Sequence, residues 1–229
     1  MEMVTITMVG YYAGKTAFMN RFFDNSYSDH MLLSVGYENK KKILKLPNGK
    51  EINLILGDTA GNERSFKLSE MYLRRADGGF LMYNITDRRS FEIVSRWIDV
   101  IKEINIPAVI IGSMCDLKEE RKISKEEGEK LSKENGFHFY ETSCKNNINI
   151  EEPIYDLVEQ ILKKREEKKV NQKNIKQKNI NKEKNKNNIK EVKKELVQNN
   201  NLDKKISKKP NEFKIENKHL NIYFKYLNY

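Results

Sequence analysis

The sequence predicts an α/β domain in three layers, with a mostly parallel six-stranded sheet, one antiparallel edge strand and helices on both faces. Strand-like and helix-like segments alternate along roughly the first 165 residues. Two of the strand-like segments, residues 79–83 and 107–112, are continuous apolar runs, as expected where helices cover both faces of a sheet. One turn, Pro-Asn-Gly at residues 47–49, joins two strands directly and predicts the antiparallel pair.

Each element follows from a local pattern. Residues 4–9 alternate apolar and polar side chains and are rich in β-branched ones, which predicts a strand. Residues 91–104 are apolar at helical spacing, and Pro153 near the start of another such run favours a first helical turn. The predicted strands are 4–9, 40–46, 51–56, 79–83, 107–112 and 138–140. The predicted helices are 17–23, about 65–76, 91–104, 124–135 and 153 to about 169.

The composition divides the chain into two parts. Residues 163–229 contain 20 Lys and 14 Asn and carry a net charge of +13, whereas residues 1–162 carry −3. A segment so poor in apolar residues buries too little surface to offset the entropy of ordering. We therefore predict a folded domain at residues 1–165 and a disordered, basic, low-complexity tail at residues 166–229.

Composition also excludes several classes of protein. A nearly neutral domain lacks the basic face with which nucleic-acid-binding domains meet phosphates. Two cysteines form no disulfide framework, so a reducing compartment is expected. No apolar run approaches the roughly 18 residues of a membrane span, and the N-terminus lacks signal-peptide and myristoylation patterns. We expect a cytoplasmic protein, peripheral on intracellular membranes.

Two motifs follow strands and point to phosphate chemistry. Residues 10–16 form a glycine-containing turn that ends in Gly-Lys-Thr and opens a helix, so that backbone N–H groups and a lysine face a phosphate. Residues 58–61, Asp-Thr-Ala-Gly, come after another strand and supply an acidic magnesium partner and a backbone N–H. Ligands bind where the carboxyl ends of such strands meet.

In order and spacing, these motifs resemble those of the Ras-like small GTPases, and the Rab branch most. Residues 58–64, DTAGNER, resemble the opening of switch II, and residues 72–76 and 81–91 resemble Rab segments. Trp97 stands where Rab proteins commonly carry tryptophan, and residues 141–145 resemble the last base-contacting loop. The resemblance covers about 165 residues and implies the P-loop GTPase fold, GTP/GDP and Mg²⁺ as cofactors, and GTP hydrolysis.

The resemblance also implies residue roles. Lys15 would contact the β- and γ-phosphates and act in catalysis with Asn62, and Tyr27 would stack on the base. Asp116 would accept hydrogen bonds from guanine N1 and N2, supported by Ser143 and the backbone of Cys144. The implied magnesium ligands are Thr16, Ser34 and Asp58. The implied nucleotide contacts are Gly10, Tyr12, Ala13, Gly14, Lys15, Thr16, Ala17, Tyr27, Ser34, Gly61, Ser113, Met114, Asp116, Ser143, Cys144 and Lys145.

The phosphate loop departs from the family pattern. The family has glycine six residues before the lysine, where this chain has Val9, and Gly10 comes one residue later. Either the loop is one residue short or its first glycine is displaced. Tyr12 occupies a position that is usually glycine, which is strained if φ is positive there.

The base and hydrolysis motifs depart as well. Ser113 and Met114 replace the asparagine and lysine of the base motif, which should weaken nucleotide binding by about 1–3 kcal/mol. Methionine still covers an aromatic face. Asn62 replaces the glutamine that orients the attacking water, so intrinsic hydrolysis should be slow. Ser34 keeps the hydroxyl of the usual threonine.

The leading hypothesis is a monomeric Rab-like GTP/GDP switch in vesicle trafficking. It would meet effectors, an exchange factor and a GTPase-activating protein through residues 28–40 and 58–76. The alternative from the same motifs is a pseudo-GTPase scaffold that binds nucleotide weakly or not at all.

Several functions are open for the predicted tail. No cysteine follows Cys144, so no prenyl anchor is expected. The tail could touch an anionic membrane at roughly 1 kcal/mol per well-placed basic residue, serve as a nuclear-targeting or nucleic-acid patch, or be a solvated extension. A zinc site at Cys115 and Cys144 would need further ligands.

Overall fold

The computed structural model describes residues 1–29, 36–62 and 65–206. Within these residues the chain forms six strands and five helices. The strands are β1 (Glu2–Val9), β2 (Tyr37–Lys45), β3 (Glu51–Thr59), β4 (Gly78–Asn84), β5 (Ala108–Ser113) and β6 (His138–Thr142). The helices are α1 (Lys15–Asp24), α2 (Phe66–Leu73), α3 (Arg88–Ile104), α4 (Lys125–Asn135) and α5 (Glu152–Ile206).

The sheet confirms the predicted fold class. Its strand order is β2-β3-β1-β4-β5-β6. β2 and β3 pair antiparallel through the predicted turn, and β1, β3, β4, β5 and β6 pair in parallel. The carboxyl ends of the five parallel strands therefore meet at one edge, where the motif loops follow them.

Two apolar clusters pack on opposite faces of the sheet. One contains Phe18 and Met19 of α1 with Ile154 and Leu157 of α5, and the other contains Trp97 and further apolar residues of α3. The apolar spacing along α3 buries six of its residues. These clusters hold the helices against the sheet, and the first residues of these helices approach the edge where the parallel strands end.

Local capping explains where two helices begin. The Asp87 side chain accepts a hydrogen bond from the Arg89 N–H, so α3 begins three residues before the predicted start. α4 opens with a capping box in which Ser124 and Glu127 satisfy each other's backbone N–H groups. Backbone hydrogen bonding thus explains one boundary that the apolar pattern missed.

An aromatic pair joins α2 to the edge of the sheet. The rings of Tyr37 and Tyr72 stack at 3.7 Å with an interplanar angle of 7°. Gly57 leaves room for this pair, because a Cβ there would lie 2.4 Å from the Tyr37 hydroxyl oxygen. The stack places α2 beside β2, whose first residues belong to the predicted partner-binding segment 28–40.

The chain divides into two units, residues 1–169 and 170–229. α5 continues to Ile206, beyond the predicted helix end near residue 169, in a sequence rich in lysine, which favours helix, and in asparagine, which does not. The division at residue 165 and the character assigned to residues 166–229 stay predictions. None of the helices in the described residues is long and apolar enough to span a membrane.

Candidate functional site

The phosphate loop runs from the end of β1 to the start of α1. Val9 is the last, fully buried residue of β1, and Gly10 follows with φ 149°. A Cβ at Gly10 would lie 2.0 Å from the carbonyl oxygen of Met82, so this position requires glycine. The glycine that this loop requires is therefore the first residue after β1, five residues before Lys15.

Tyr12 adopts the backbone conformation that the family pattern reserves for glycine. Its φ is 42°, and its N–H donates to the carbonyl oxygen of Gly61 at 3.3 Å. Its ring packs edge-on against Tyr11 at 4.5 Å, and the Arg89 guanidinium lies over the Tyr11 ring. These contacts hold a conformation that costs a non-glycine residue about 1–2 kcal/mol.

We expect Tyr12→Gly to be more stable than Tyr12→Ala by about 1 kcal/mol, since both variants lose the ring but only glycine adopts φ 42° freely. Urea unfolding of the two variants measures the difference. Ser95, exposed in the middle of α3, is the matched control. At this position the Ala variant should be more stable than the Gly variant by about 1 kcal/mol. If the Ala variant were more stable than the Gly variant at both positions, the backbone at Tyr12 would not be strained.

Lys15 is a buried cation at the mouth of the loop. Its side chain is only 4% exposed, and its ammonium donates to the carbonyl oxygen of Gly10 at 2.7 Å. Desolvation lowers its pKa to about 8, against the opposing attraction of Asp58. A phosphate would supply the negative charge that such a buried ammonium lacks.

Thr16 and Asp58 bring two oxygen donors together. The Thr16 hydroxyl donates to Asp58 Oδ2 at 2.5 Å, and Asp58 is buried at the end of β3. A hydroxyl and a carboxylate are hard oxygen donors of the kind that Mg²⁺ uses together with substrate phosphates. The donor set therefore fits magnesium. Ser34, the third predicted ligand, lies outside the described residues.

Asp116 is positioned by the neighbouring loop. The Ser143 hydroxyl donates to Asp116 Oδ1 at 2.6 Å, and the Cys115 N–H donates to the carbonyl oxygen of Thr142 at 3.0 Å. A carboxylate oriented in this way can accept from two adjacent donors, as guanine N1 and N2 present them. The structure thus brings Asp116 and Ser143 together as predicted.

The two substituted residues of the base motif have different contacts. The Ser113 hydroxyl donates to the carbonyl oxygen of Tyr83 at 2.9 Å, inside the sheet. Met114 has φ 63°, and its terminal methyl group lies 3.4 Å from the position that a Cβ on Gly14 would take. Met114 therefore bridges the base loop and the phosphate loop by an apolar contact, whereas Ser113 does not reach across.

Tyr27 stands at the other end of the site. Its hydroxyl donates to Asp29 Oδ1 at 3.0 Å, and Lys145 pairs with the same carboxylate at 3.6 Å. Desolvation and Asp29 raise the pKa of Tyr27 to about 12, so the phenol stays protonated and keeps donating. The ring is 38% exposed, which leaves it available to a base.

Asn62 is engaged by its own turn. Its side-chain oxygen accepts from the Ser65 N–H at 3.0 Å and from the Ser65 hydroxyl at 2.8 Å, just before α2 begins. The amide therefore closes a turn with Ser65, the residue that precedes α2. Sequence reasoning named Asn62 as catalytic but did not find this contact.

A cavity of about 350 Å³ joins these groups. Four of its lining residues were not predicted: Ser28, Asp29, Thr59 and Leu117. Ser28, Thr59 and Leu117 each adjoin a predicted position and Asp29 lies two residues after Tyr27, and that proximity in the chain was the available signal. The predicted residues that line it are Tyr12, Ala13, Gly14, Lys15, Thr16, Ala17, Tyr27, Gly61, Asn62, Ser113, Met114, Asp116, Cys144 and Lys145.

Three predicted residues lie behind the cavity wall. Asp58 and Ser143 act through Thr16 and Asp116, and Gly10 lines a smaller neighbouring cavity together with Gly61. Burial raises the pKa of the Cys144 thiol to about 12 and also raises that of Cys115, so both thiols stay protonated and are poor metal ligands at neutral pH.

Comparisons with known proteins agree with this geometry. The family described as Ras family matches residues 5–163. Rab-10 of Caenorhabditis elegans is 37% identical over 154 residues, which are 66% of this chain and 76% of that protein. Rab-8A of Bos taurus is 37% identical over 68% of this chain and 76% of its own length, and Rab-3C of Bos taurus is 40% identical over 67% and 69%. The chain therefore belongs to the Ras family of small GTPases and is a Rab-like member of it.

Proposed function

We propose that this GTPase is a magnesium-dependent switch between GTP- and GDP-bound states that hydrolyses GTP slowly and acts in vesicle transport. One observation carries the proposal: a single cavity has a buried lysine at one end and an oriented carboxylate at the other. Lys15 marks the end that fits phosphates, and Asp116 marks the end that fits guanine.

The phosphate end supplies charge and backbone donors. The Lys15 ammonium and the N–H groups at the start of α1 would meet the β- and γ-phosphates. Thr16 and Asp58 would hold Mg²⁺, which neutralises phosphate charge when it is bound. A Cβ on Gly61 would lie 3.1 Å from the Lys15 ammonium nitrogen, so glycine leaves the backbone of residue 61 open toward the lysine.

The base end selects guanine. Asp116 would accept from N1–H and the 2-amino group, which adenine does not present in this arrangement. Met114 would cover one face of the base and Tyr27 would approach it from the edge. A site of this kind discriminates strongly, because the wrong base leaves a polar group unpaired.

Hydrolysis should be slow because of the Asn62 contacts. An amide that accepts two hydrogen bonds from Ser65 is drawn away from orienting a water molecule, and it is one methylene shorter than glutamine. We therefore expect an intrinsic single-turnover rate no faster than about 10⁻³ s⁻¹.

We expect Asn62→Gln to hydrolyse GTP about 10-fold faster or more, because the longer side chain reaches beyond the Ser65 turn. Single-turnover hydrolysis with Mg²⁺ measures the rate. Asn62→Ala is the matched control: it breaks the same contacts without supplying an amide and should not be faster than the wild type. A Gln variant as slow as the wild type would overturn the account of Asn62.

The partners and location follow from family membership. Effectors, an exchange factor and a GTPase-activating protein would bind residues 28–40 and 58–76, parts of which lie outside the described residues. The protein would be a cytoplasmic monomer that visits intracellular membranes. Its basic residues 166–229 would add weak attraction to an anionic surface.

Measurement of GTP turnover tests the proposed switch. Purified protein should convert GTP to GDP in the presence of Mg²⁺ and lose this activity with EDTA. Bound GTP that persists unhydrolysed would favour the scaffold alternative, and family membership favours the switch over that alternative.

A further inference from the structure

Arg21 contacts segments that line the nucleotide cavity, although it does not line the cavity itself. Its Nε donates to the carbonyl oxygen of Cys144 at 2.7 Å, and its Nη2 lies 3.5 Å from that of Lys145. Its Nη1 donates to the carbonyl and side-chain oxygens of Asn25 at 2.9 and 3.1 Å. One guanidinium thus joins α1, the residue that ends it and the loop after β6.

These contacts reach both sides of the base site. The loop that contains Cys144 also contains Ser143, whose hydroxyl orients Asp116. Asn25 caps α1 in a left-handed conformation and leads to Tyr27, and the Arg21 guanidinium lies 5.9 Å from the Tyr27 ring centroid. Because α1 also begins with Lys15, Arg21 links the phosphate-binding helix to the base-binding residues.

The substitution at Ser113 makes this link important. The Ser113 hydroxyl donates to Tyr83 within the sheet, so it does not connect the base loop to the phosphate side. Arg21 connects α1, which begins with Lys15, to the loop after β6. Only a guanidinium presents a rigid fork of donors that meets several carbonyl oxygens at once, and lysine offers a single point of charge.

We propose that Arg21 is a positioning residue for guanine recognition, holding the Ser143–Lys145 loop and the Tyr27 segment in register with α1. The inference rests on the proposed function, because it concerns how the same site retains and selects its base. It predicts that loss of the guanidinium weakens guanine recognition more than phosphate recognition.

The test compares GDP with IDP, which lacks the 2-amino group. In Arg21→Gln, GDP affinity should fall about 10- to 100-fold, the scale of lost charge-assisted hydrogen bonds. The preference for GDP over IDP should fall as well, because Asp116 is no longer held to accept from both donors. Arg21→Lys keeps the positive charge and one of the contacts, so its GDP affinity and its preference for GDP over IDP should lie between those of Arg21→Gln and the wild type. The Lys variant also tests the role of Arg21 if Arg21→Gln folds poorly.

Arg165→Gln is the matched control. Arg165 donates to Glu2 and to the carbonyl oxygen of Met3 at the start of β1 and pairs with Asp77, whereas the phosphate loop follows the last residue of β1. Its loss should lower thermal stability comparably while leaving the GDP-to-IDP preference unchanged. This control separates a positioning effect from general destabilisation.

The outcomes distinguish this role from the proposed function. A wild-type protein that binds no GDP overturns the proposed function and the role of Arg21 with it. If the wild type binds GDP and Arg21→Gln keeps both the same GDP affinity and the same preference for GDP over IDP, the role of Arg21 alone is overturned.

Discussion

Lys15→Met should abolish detectable GDP binding and at the same time stabilise the nucleotide-free protein. The Lys15 ammonium is buried, and desolvation lowers its pKa from 10.5 to about 8. Burial of this charge costs the folded state roughly 3 kcal/mol at neutral pH on the usual conversion. Methionine removes that cost but leaves Asp58 without its nearby cation, so we expect a net gain of about 1–2 kcal/mol.

The difference in stability between Lys15→Met and the wild type depends on pH. The folded-state pKa lies below the unfolded value, so between about pH 8 and pH 10.5 the unfolded state binds more protons and wild-type stability rises with pH. The advantage of Lys15→Met should therefore be largest below pH 8 and shrink toward pH 10. Thermal unfolding of nucleotide-stripped protein at pH 7 and pH 10 measures it.

The control is a lysine in an exposed ion pair. Lys50 pairs with Glu2 at the surface, and Lys50→Met should change stability by less than about 1 kcal/mol and leave GDP binding intact. If Lys15→Met were less stable than the wild type at pH 7, burial of the Lys15 ammonium would not destabilise the folded state.

Asp116→Asn should lower GDP affinity by about 100-fold or more and shift preference toward xanthine nucleotides. An amide accepts at one atom only, so it cannot take both guanine donors, whereas it can donate to the 2-oxo group of xanthine. The Ser143 hydroxyl can still donate to the Asn oxygen, so the loop should keep its arrangement. Titrations with fluorescent GDP and XDP measure the exchange of preference.

Asp24→Asn is the matched control for this change. Asp24 pairs with Lys40 at the surface and does not line the cavity, so its amide should leave both affinities unchanged. Equal loss of GDP and XDP binding in Asp116→Asn would show that Asp116 supports the loop and does not read the base.

The sequence was informative where the fold depends on local patterns. Alternation of strand-like and helix-like segments, the turn at residues 47–49 and the apolar runs predicted the sheet, because burial imposes those periodicities. The loops after β1, β3, β5 and β6 were predicted as one rim, and the structure brings their residues to one cavity. Strand ends in a parallel sheet meet in this way for geometric reasons.

Contacts between distant residues could not be predicted in the same way. The stack of Tyr37 on Tyr72 over Gly57 and the bonds from Arg21 to Cys144 join residues far apart in the chain. No periodicity encodes such pairs. The close approach of the Met82 carbonyl to Gly10, which requires glycine there, likewise joins residues far apart in the chain.

The departures from the family pattern have individual physical accounts. Tyr12 keeps the left-handed backbone of a glycine, the Met114 methyl group lies beside Gly14, and the Asn62 amide accepts hydrogen bonds from Ser65 before α2. None of them fills the cavity between Lys15 and Asp116. We therefore expect the changes to lower nucleotide affinity and the rate of hydrolysis while the cavity keeps room for a guanine nucleotide.

Titration of nucleotide-stripped, full-length protein with GDP and ADP, with and without Mg²⁺, tests the central claim most directly. The account predicts binding of GDP that Mg²⁺ strengthens and a preference over ADP of about 100-fold or more. Equal affinity for the two nucleotides, or no measurable binding of GDP, would contradict it.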